Sequence, residues 1–387
     1  MTANEVHDDA ASVASSSSSS SDAGYGCDRP HSPTSLFEDS LFTLFSHNQP
    51  AHGDPGDTCK YSHQNLPLRY LPPSTRKATL RYKIAQNSGT NTKLFAHHQW
   101  DAGLYLADLI AEHSSVKAQG KQRADSFVDV RGKTVVELGA GTGLPGLVAC
   151  VMGAERTVIT DYPDPHVIEN LLGNLDLALL PRKCRKSNAS ERQPNPRYLQ
   201  ARERVRVIGL GWGNDNEESL VLAASSTPSN ELTELGYDLV LAADVLWVSS
   251  AHPLLIHSIR KLLKRKSEAR CVLIAGFHTG QPAVRRFFAQ LAQCADENDE
   301  TLKDGRRVGI VPDWEEEKFG GIWERNIDGS CRAWSGAAVP RKADYDARVG
   351  IRTLPEDTKE EAEEEMGDIG DRGSWVVVAS LRWADLE

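Results

Sequence analysis

The stretch Lys133 to Gly146, KTVVELGAGTGLPG, constrains this chain more than any other. An apolar run, Val135, Val136 and Leu138, leads into glycines at alternate positions, Gly139, Gly141 and Gly143. A second apolar run, Leu147 to Met152, follows a Leu-Pro-Gly step. The pattern predicts a strand, a tight glycine turn and the start of a helix. Glycine allows positive φ, and its missing side chain lets a ligand touch the backbone. The helix start leaves N–H groups free for that ligand. Such a turn suits a nucleotide-like cofactor.

The rest of the chain repeats the alternation. A helix over Asp101 to Glu112, with Leu104, Leu106, Leu109 and Ile110 on one face, precedes the glycine turn. Strands are expected at Arg156 to Thr160, Val205 to Leu210, Tyr237 to Ala243 and Arg270 to Gly276. Helices are expected from about His166 to Leu180, His252 to Arg265 and Pro282 to Ala295. Phe319 to Arg325 reads as a strand, and Trp375 to Leu381 as a strong one. Strands alternating with helices imply a parallel sheet covered on both faces, with ligands at the carboxyl ends of the strands.

Residues 1–65 are rich in Ser, Asp, Pro and Gly, include a serine run from Ser15 to Ser21, and read as a disordered tail. Its apolar island, Leu36 to Phe45, is expected to pack on the domain. The folded domain is expected over 66–387, with insertions near 181–200, basic and mobile, and near 355–373. The second insertion, Pro355 to Gly373, holds nine acids against two bases, a net of −7 within a total of −10. If it joins the last two strands it emerges on the ligand side, where it would steer a basic substrate; the alternative is a solvated insertion with no role.

The net negative charge argues against a general nucleic-acid or membrane-surface binder, and no apolar run is long enough to span a bilayer. The amino terminus lacks the features of a signal or transit peptide, and the seven cysteines are scattered with no CxxC pair or histidine partner at ligand spacing. The expectation is a cytoplasmic protein with reduced thiols and no metal site.

Two cofactors compete for the turn. Gly141-Thr142-Gly143-Leu144-Pro145-Gly146 fits G-x-G-x-x-G, and Asp161 lies twenty residues after Gly141, where a ribose-binding acid belongs. Against a dinucleotide stand the earlier start of the pattern at Glu137, a helix with Trp100 ahead of the first strand, the lack of any Y-x-x-x-K pair, and a terminal strand reached without a helix.

These features resemble the class I S-adenosylmethionine-dependent methyltransferases, from about Leu66 onward. The implied fold is an α/β, Rossmann-like seven-stranded sheet with the last strand antiparallel, inserted between the fifth and sixth. Glu137 to Gly143 resembles the first motif of that superfamily, and Asp161 its ribose acid. Trp100, Gly211-Trp212-Gly213 and Ala242-Ala243-Asp244-Val245-Leu246-Trp247 are similar to the seven-strand protein-lysine methyltransferases, and most of all to the fungal elongation factor methyltransferase 7 family, formerly called nicotinamide N-methyltransferase-like. Trp247 departs from the related D-x-x-Y pattern. The resemblance implies S-adenosyl-L-methionine as cofactor and a protein substrate, the N-terminal glycine and adjacent lysine of translation elongation factor 1-alpha. A small-molecule N-methyltransferase and a non-catalytic cofactor-binding module are the alternatives.

The expected cofactor-binding residues are Trp100, Gly139, Ala140, Gly141, Asp161, Trp212 and Ala243, and the expected catalytic residue is Asp244. Gly139, Ala140 and Gly141 would touch the amino acid part of the cofactor. Asp161 has two acceptor oxygens for the ribose hydroxyls, or else caps a helix before Pro163. Trp212 offers a flat face to the adenine, or is a core tryptophan. Ala243 leaves room by being small. Asp244 would pair with a cationic amine, or cap the helix that holds His252. Trp247 walls an amine channel or fills the core, and Glu137 is a candidate hydrogen-bond partner on the cofactor side.

Overall fold

The computed structural model describes residues 52–71, 78–89, 91, 94–115, 126–181, 193–227, 235–277, 280–293, 309–313, 321–334 and 373–386. The serine run, the Leu36 to Phe45 island, residues 182–192 and the acidic run 356–371 lie outside them.

The first elements are β1 (Thr58–Ser62), β2 (Tyr70–Leu71) and β3 (Thr79–Lys83), then helix α1 (Asp101–His113). β1 pairs antiparallel with β3 along all five residues, Thr58 opposite Lys83. Ordered chain therefore precedes the expected start at residue 66. Leu80 and Tyr82 of β3 are buried, and Tyr61 of β1 donates its hydroxyl to Asp108 of α1 at 2.8 Å. The hairpin is held by contacts far along the chain, which composition around residue 60 does not reveal.

The central unit follows: β4 (Thr134–Leu138), α2 (Leu144–Met152), β5 (Arg156–Asp161) and α3 (Pro165–Leu179). All five residues of β4 are buried, as a parallel strand covered on both faces requires. α3 starts at Pro165 and is capped by Asp164, whose carboxylate accepts from His166 N at 2.9 Å. Next come β6 (Gln193–Pro194), α4 (Pro196–Arg204), β7 (Val205–Gly209) and α5 (Asp215–Ala224). The basic insertion expected over 181–200 is thus folded in its second half. Asn195 accepts from Arg197 N at 3.1 Å, Pro196 takes the first helical position, and the Tyr198 hydroxyl donates to Pro67 O at 2.9 Å. An Asn-Pro cap signal was present there beneath the basic composition.

The remaining elements are β8 (Leu239–Ala243), α6 (His252–Leu262), β9 (Arg270–Gly276), α7 (Gln281–Ala292), β10 (Ile310–Pro312), β11 (Ile322–Asn326), β12 (Cys331–Ala333) and β13 (Trp375–Trp383). The main sheet runs β12-β11-β13-β9-β8-β4-β5-β7, and β10 pairs with the end of β13. β7, β5, β4, β8 and β9 are mutually parallel. β13 is antiparallel to both neighbours, β9 and β11, as the terminal strand was expected to be. β12 and β10 widen the sheet to nine strands, two beyond the seven expected; both are three residues long and lie at its margin.

Successive strand residues point to opposite faces, and each face has its own core. Val135, Ile159, Leu241 and Ile274 pack with α1 to α4. Val136, Val158, Ala242 and Leu273 pack with α5 to α7. Each buried Val, Leu or Ile among them stabilises the fold by roughly 1.5–3 kcal/mol. The strand order reverses at β4, with β5 on one side and β8 on the other, so the carboxyl ends of β4 and β8 flank a crevice.

Candidate active site

A cavity of roughly 320 Å³ opens in that crevice. Trp100, Gly139, Ala140, Gly141, Asp161, Trp212, Ala243 and Asp244, every residue singled out from sequence as a site residue, line it. Strand ends from β4, β5, β7 and β8 supply them, together with the segment just before α1.

The glycine turn is fixed by hydrogen bonds. Ala140 N donates to Thr160 O at 3.0 Å and Gly143 N to Ala140 O at 2.7 Å. Gly139 and Gly141 have φ of +62° and +55°, for different uses. A Cβ on Gly139 would lie 2.8 Å from Val245 Cγ1 and 3.3 Å from Trp212 Cζ2, so that glycine is demanded by protein packing. A Cβ on Gly141 would meet nothing within 4 Å and would project into open space at the cavity.

Asp161 ends β5 and is 8% exposed. One carboxylate oxygen accepts from Gly141 N at 2.6 Å and the other from Tyr162 N at 2.7 Å. Burial raises its pKa, and the two backbone N–H groups only partly offset that. It is not the cap of α3, a role that Asp164 fills. Glu137 is buried in β4, and its carboxylate accepts from Gly146 N at 2.9 Å in the first turn of α2. Burial pushes its pKa up to about 8, against the pull of Gly146 and with a smaller upward push from Asp161.

Asp244 has φ +58°, in the left-handed region. Its N–H donates to Ile274 O at 2.7 Å, and its Oδ1 accepts from Gly276 N at 3.1 Å. It is not a cap on α6, which has Ala251 at its N-cap and no side-chain cap bond. The loop after β8 is instead pinned by His252, whose Nε2 lies 3.0 Å from Leu246 O. Phe95, with φ +53°, is the other non-glycine residue in that region among the described ones, and it too lines the cavity. Residues held in such conformations concentrate at functional sites.

Phe95 belongs to an aromatic wall. Its ring lies 5.1 Å from that of Trp247, edge-on, and 6.4 Å from that of Trp100. His98 lies 5.0 Å from Trp100 and 4.1 Å from His97. Trp212 packs partly on the second core and partly against the glycine turn, so the core and cavity readings both hold for it. Phe95, His98 and Gln99 escaped the sequence reading. Gln99 accepts from the Thr142 hydroxyl at 2.5 Å and so ties the aromatic segment to the glycine turn. The doublet His97-His98 beside Trp100 was the signal available for them.

A separate set, Asp215, Glu218 and His257, has the spacing of a metal site. The Lys261 ammonium already sits with it, 2.5 Å from Asp215 and 3.2 Å from Glu218, so the set is an ion-pair network between α5 and α6.

A family model described as lysine methyltransferase matches residues 78–192. The protein N-terminal and lysine N-methyltransferase EFM7 of Gibberella zeae is 33% identical over 174 residues, which cover 45% of this chain and 55% of that one. The protein of the same name from Yarrowia lipolytica is 31% identical over 214 residues, covering 54% of this chain and 69% of that one. The one from Schizosaccharomyces pombe is 27% identical over 216 residues, covering 56% and 69%. The match thus spans just over half the length of the Gibberella relative and just over two thirds of the other two.

The residues present fit S-adenosylmethionine. Each Asp161 oxygen spends one lone pair on a backbone N–H and keeps another for a ribose hydroxyl. Gly141 leaves open the space that any side chain would fill. The cavity volume lies within the ordinary range for a cofactor site.

Proposed function

Because this chain belongs to the family of the protein N-terminal and lysine N-methyltransferases EFM7, we propose that it methylates protein amines, specifically the N-terminal glycine and adjacent lysine of translation elongation factor 1-alpha, in the cytoplasm. One observation carries the reading: the carboxylate of Asp161, the open face of Gly141 and the left-handed Asp244 line a single cavity. No helix among the described residues is long and apolar enough to cross a membrane.

S-adenosylmethionine supplies an electrophilic methyl on a sulfonium, taken by a nitrogen lone pair in an in-line displacement. The chain's part is to bind, align and exclude water, and alignment alone is worth several kcal/mol of barrier. Asp161 holds the ribose hydroxyls, Gly139 to Gly141 admit the amino acid part, and Trp212 and Trp100 offer flat faces. Asp244 faces the incoming amine across the cavity, where Ala243 leaves room. Trp247 and Phe95 wall the amine's approach. An α-amino group, with a pKa near 8, is about a tenth neutral at pH 7, whereas lysine near 10.4 must be deprotonated in place. The α-amine is therefore the easier nucleophile.

The test is transfer of labelled methyl from S-adenosylmethionine into a proteome that lacks this enzyme, with mass spectrometry of the elongation factor's N-terminal peptide. Label in that peptide is expected. Asp244→Asn keeps both the left-handed backbone and an acceptor for Gly276 while removing the charge. It should lower kcat at least tenfold and leave cofactor Kd within twofold. Label confined to small metabolites, or absent, would refute the protein substrate.

A further inference from the structure

The ionisable groups around the cavity include one with no part in the chemistry above. His98 is half-buried on the aromatic wall, between His97 and Trp100, and lines the same cavity as Asp244 and Trp247. Its neighbour is fixed, since His97 Nδ1 lies 3.0 Å from Asn91 O. The His98 imidazole makes no hydrogen bond with any described residue, so a ring nitrogen is available to a ligand.

We infer that His98 is the proton acceptor for the substrate amine, an assignment that rests on the amine-methylating reading of this cavity. In the step, an N–H bond of the substrate ammonium breaks. The proton passes to a ring nitrogen of His98, and the electron pair stays on the amine. That pair forms the new N–C bond while the methyl's bond to sulfur breaks and its electrons remain on sulfur. The imidazolium then releases its proton to solvent through its exposed edge.

The surroundings keep His98 ready for this. Burial lowers its pKa from the usual 6.5, and His97 beside it lowers it further, so the ring is neutral at pH 7. The other titratable groups lining the cavity are Glu137 of β4, Asp161 and Tyr162 at the end of β5, and Asp244 after β8, while His97 is buried against the His98 ring. Measured against an ordinary imidazole, proton transfer is uphill by more than about one pKa unit from an α-amine and by about four from a lysine, and the lowering at His98 widens both gaps. A histidine here therefore favours an N-terminal amine over a lysine side chain.

The experiment measures kcat/KM from pH 6 to 9.5 with the full chain. The substrate is an N-terminal peptide of the elongation factor whose lysine is replaced by arginine. His98→Asn should be slower than wild type by about tenfold or more at pH 6.5, because a positioned base is then needed. The gap should close to within about twofold at pH 9.5, where the α-amine is neutral without help. His98→Ala should behave alike and regain activity when imidazole is added. S-adenosylmethionine Kd, read by calorimetry, should stay within about twofold for both variants. The His98 ring resonances of the cofactor-free protein should titrate below pH 6.5 and shift when the peptide is added. A ratio of wild type to variant that is constant across pH would make His98 a packing residue. A parallel fall in cofactor affinity would place it in the cofactor site. Either result overturns the assignment. A wild-type protein inert toward the peptide overturns the substrate reading and this one together, whereas active variants with the wild-type profile overturn this one alone.

Discussion

The parallel strands β4, β5 and β8 place acids at both ends of the sheet, in opposite circumstances. At the amino ends, Asp238 accepts from Thr134 N and Thr134 Oγ1, both at 2.8 Å, and from Lys264 Nζ at 3.0 Å. Burial pushes its pKa up, yet the Thr134 and Lys264 contacts outweigh that and leave it lowered. At the carboxyl ends, Glu137 and Asp161 are buried with backbone N–H groups as partners, and both have raised pKa values. The same two-layer fold thus finishes one end for stability and leaves the other with acids whose charge is incompletely compensated. Catalytic and binding sites are where such shifts gather. A ligand that brings hydroxyls or positive charge to the open end supplies what the protein withholds there.

The largest loss of stability on substitution is expected from breaking the closed end. Lys264→Met leaves the half-buried Asp238 with only its Thr134 hydrogen bonds, a loss of about 3 kcal/mol, the upper end for stripping a partner from such an acceptor. Denaturant unfolding at pH 7 reads it, and cofactor Kd should not move. Asp238 is a group of depressed pKa, so its contribution is present above its unfolded value and lost as pH falls through the folded one. The variant should show a shallower loss of stability in acid.

Glu137→Gln tests the open end, with the opposite sign. The new side chain's amide oxygen would still accept from Gly146 N. The native pKa of about 8 exceeds the reference 4.5, so between those values the folded state binds more protons than the unfolded one. Wild-type stability should fall as pH rises from 4.5 to 8, by up to about 1.4 kcal/mol per pH unit. The variant should lose that slope and match or exceed wild type in Tm at pH 8. Parallel Tm curves for the two proteins would show that Glu137 is ionised throughout.

Gly141→Ala separates stability from binding at the open end. Its Cβ meets no protein atom, so the loss of stability is the left-handed penalty of about 1–2 kcal/mol. Cofactor affinity should fall by more than tenfold at the same time, because the methyl occupies the space that the cofactor needs. Unchanged affinity by calorimetry would put the cofactor elsewhere.

The site was legible in sequence to the extent that it lies at strand ends. Gly139, Ala140 and Gly141 follow β4, Asp161 ends β5, Trp212 follows β7, and Ala243 and Asp244 close β8. Each is marked by a local change from apolar period to glycine or acid. Parallel strands bring all their carboxyl ends to one side, so local marks suffice to assemble the cavity. Partners across the chain left no such mark. Asp244 was read as a cap or an amine partner, and its carboxylate is held by Gly276, thirty-two residues away.

The sequence by itself determined the order of the strands and helices, the glycine turn and the side of the sheet on which the site lies, because hydrophobic period and backbone permissiveness act over a few residues. Only the tertiary structure decided that Phe95 packs on Trp247, that β1 joins β3, that Gly139 makes way for Val245 and that His98 faces the cavity. Those contacts join segments up to 152 residues apart. They exist only once burial has folded the chain back on itself, and no local pattern encodes which distant side chain will arrive.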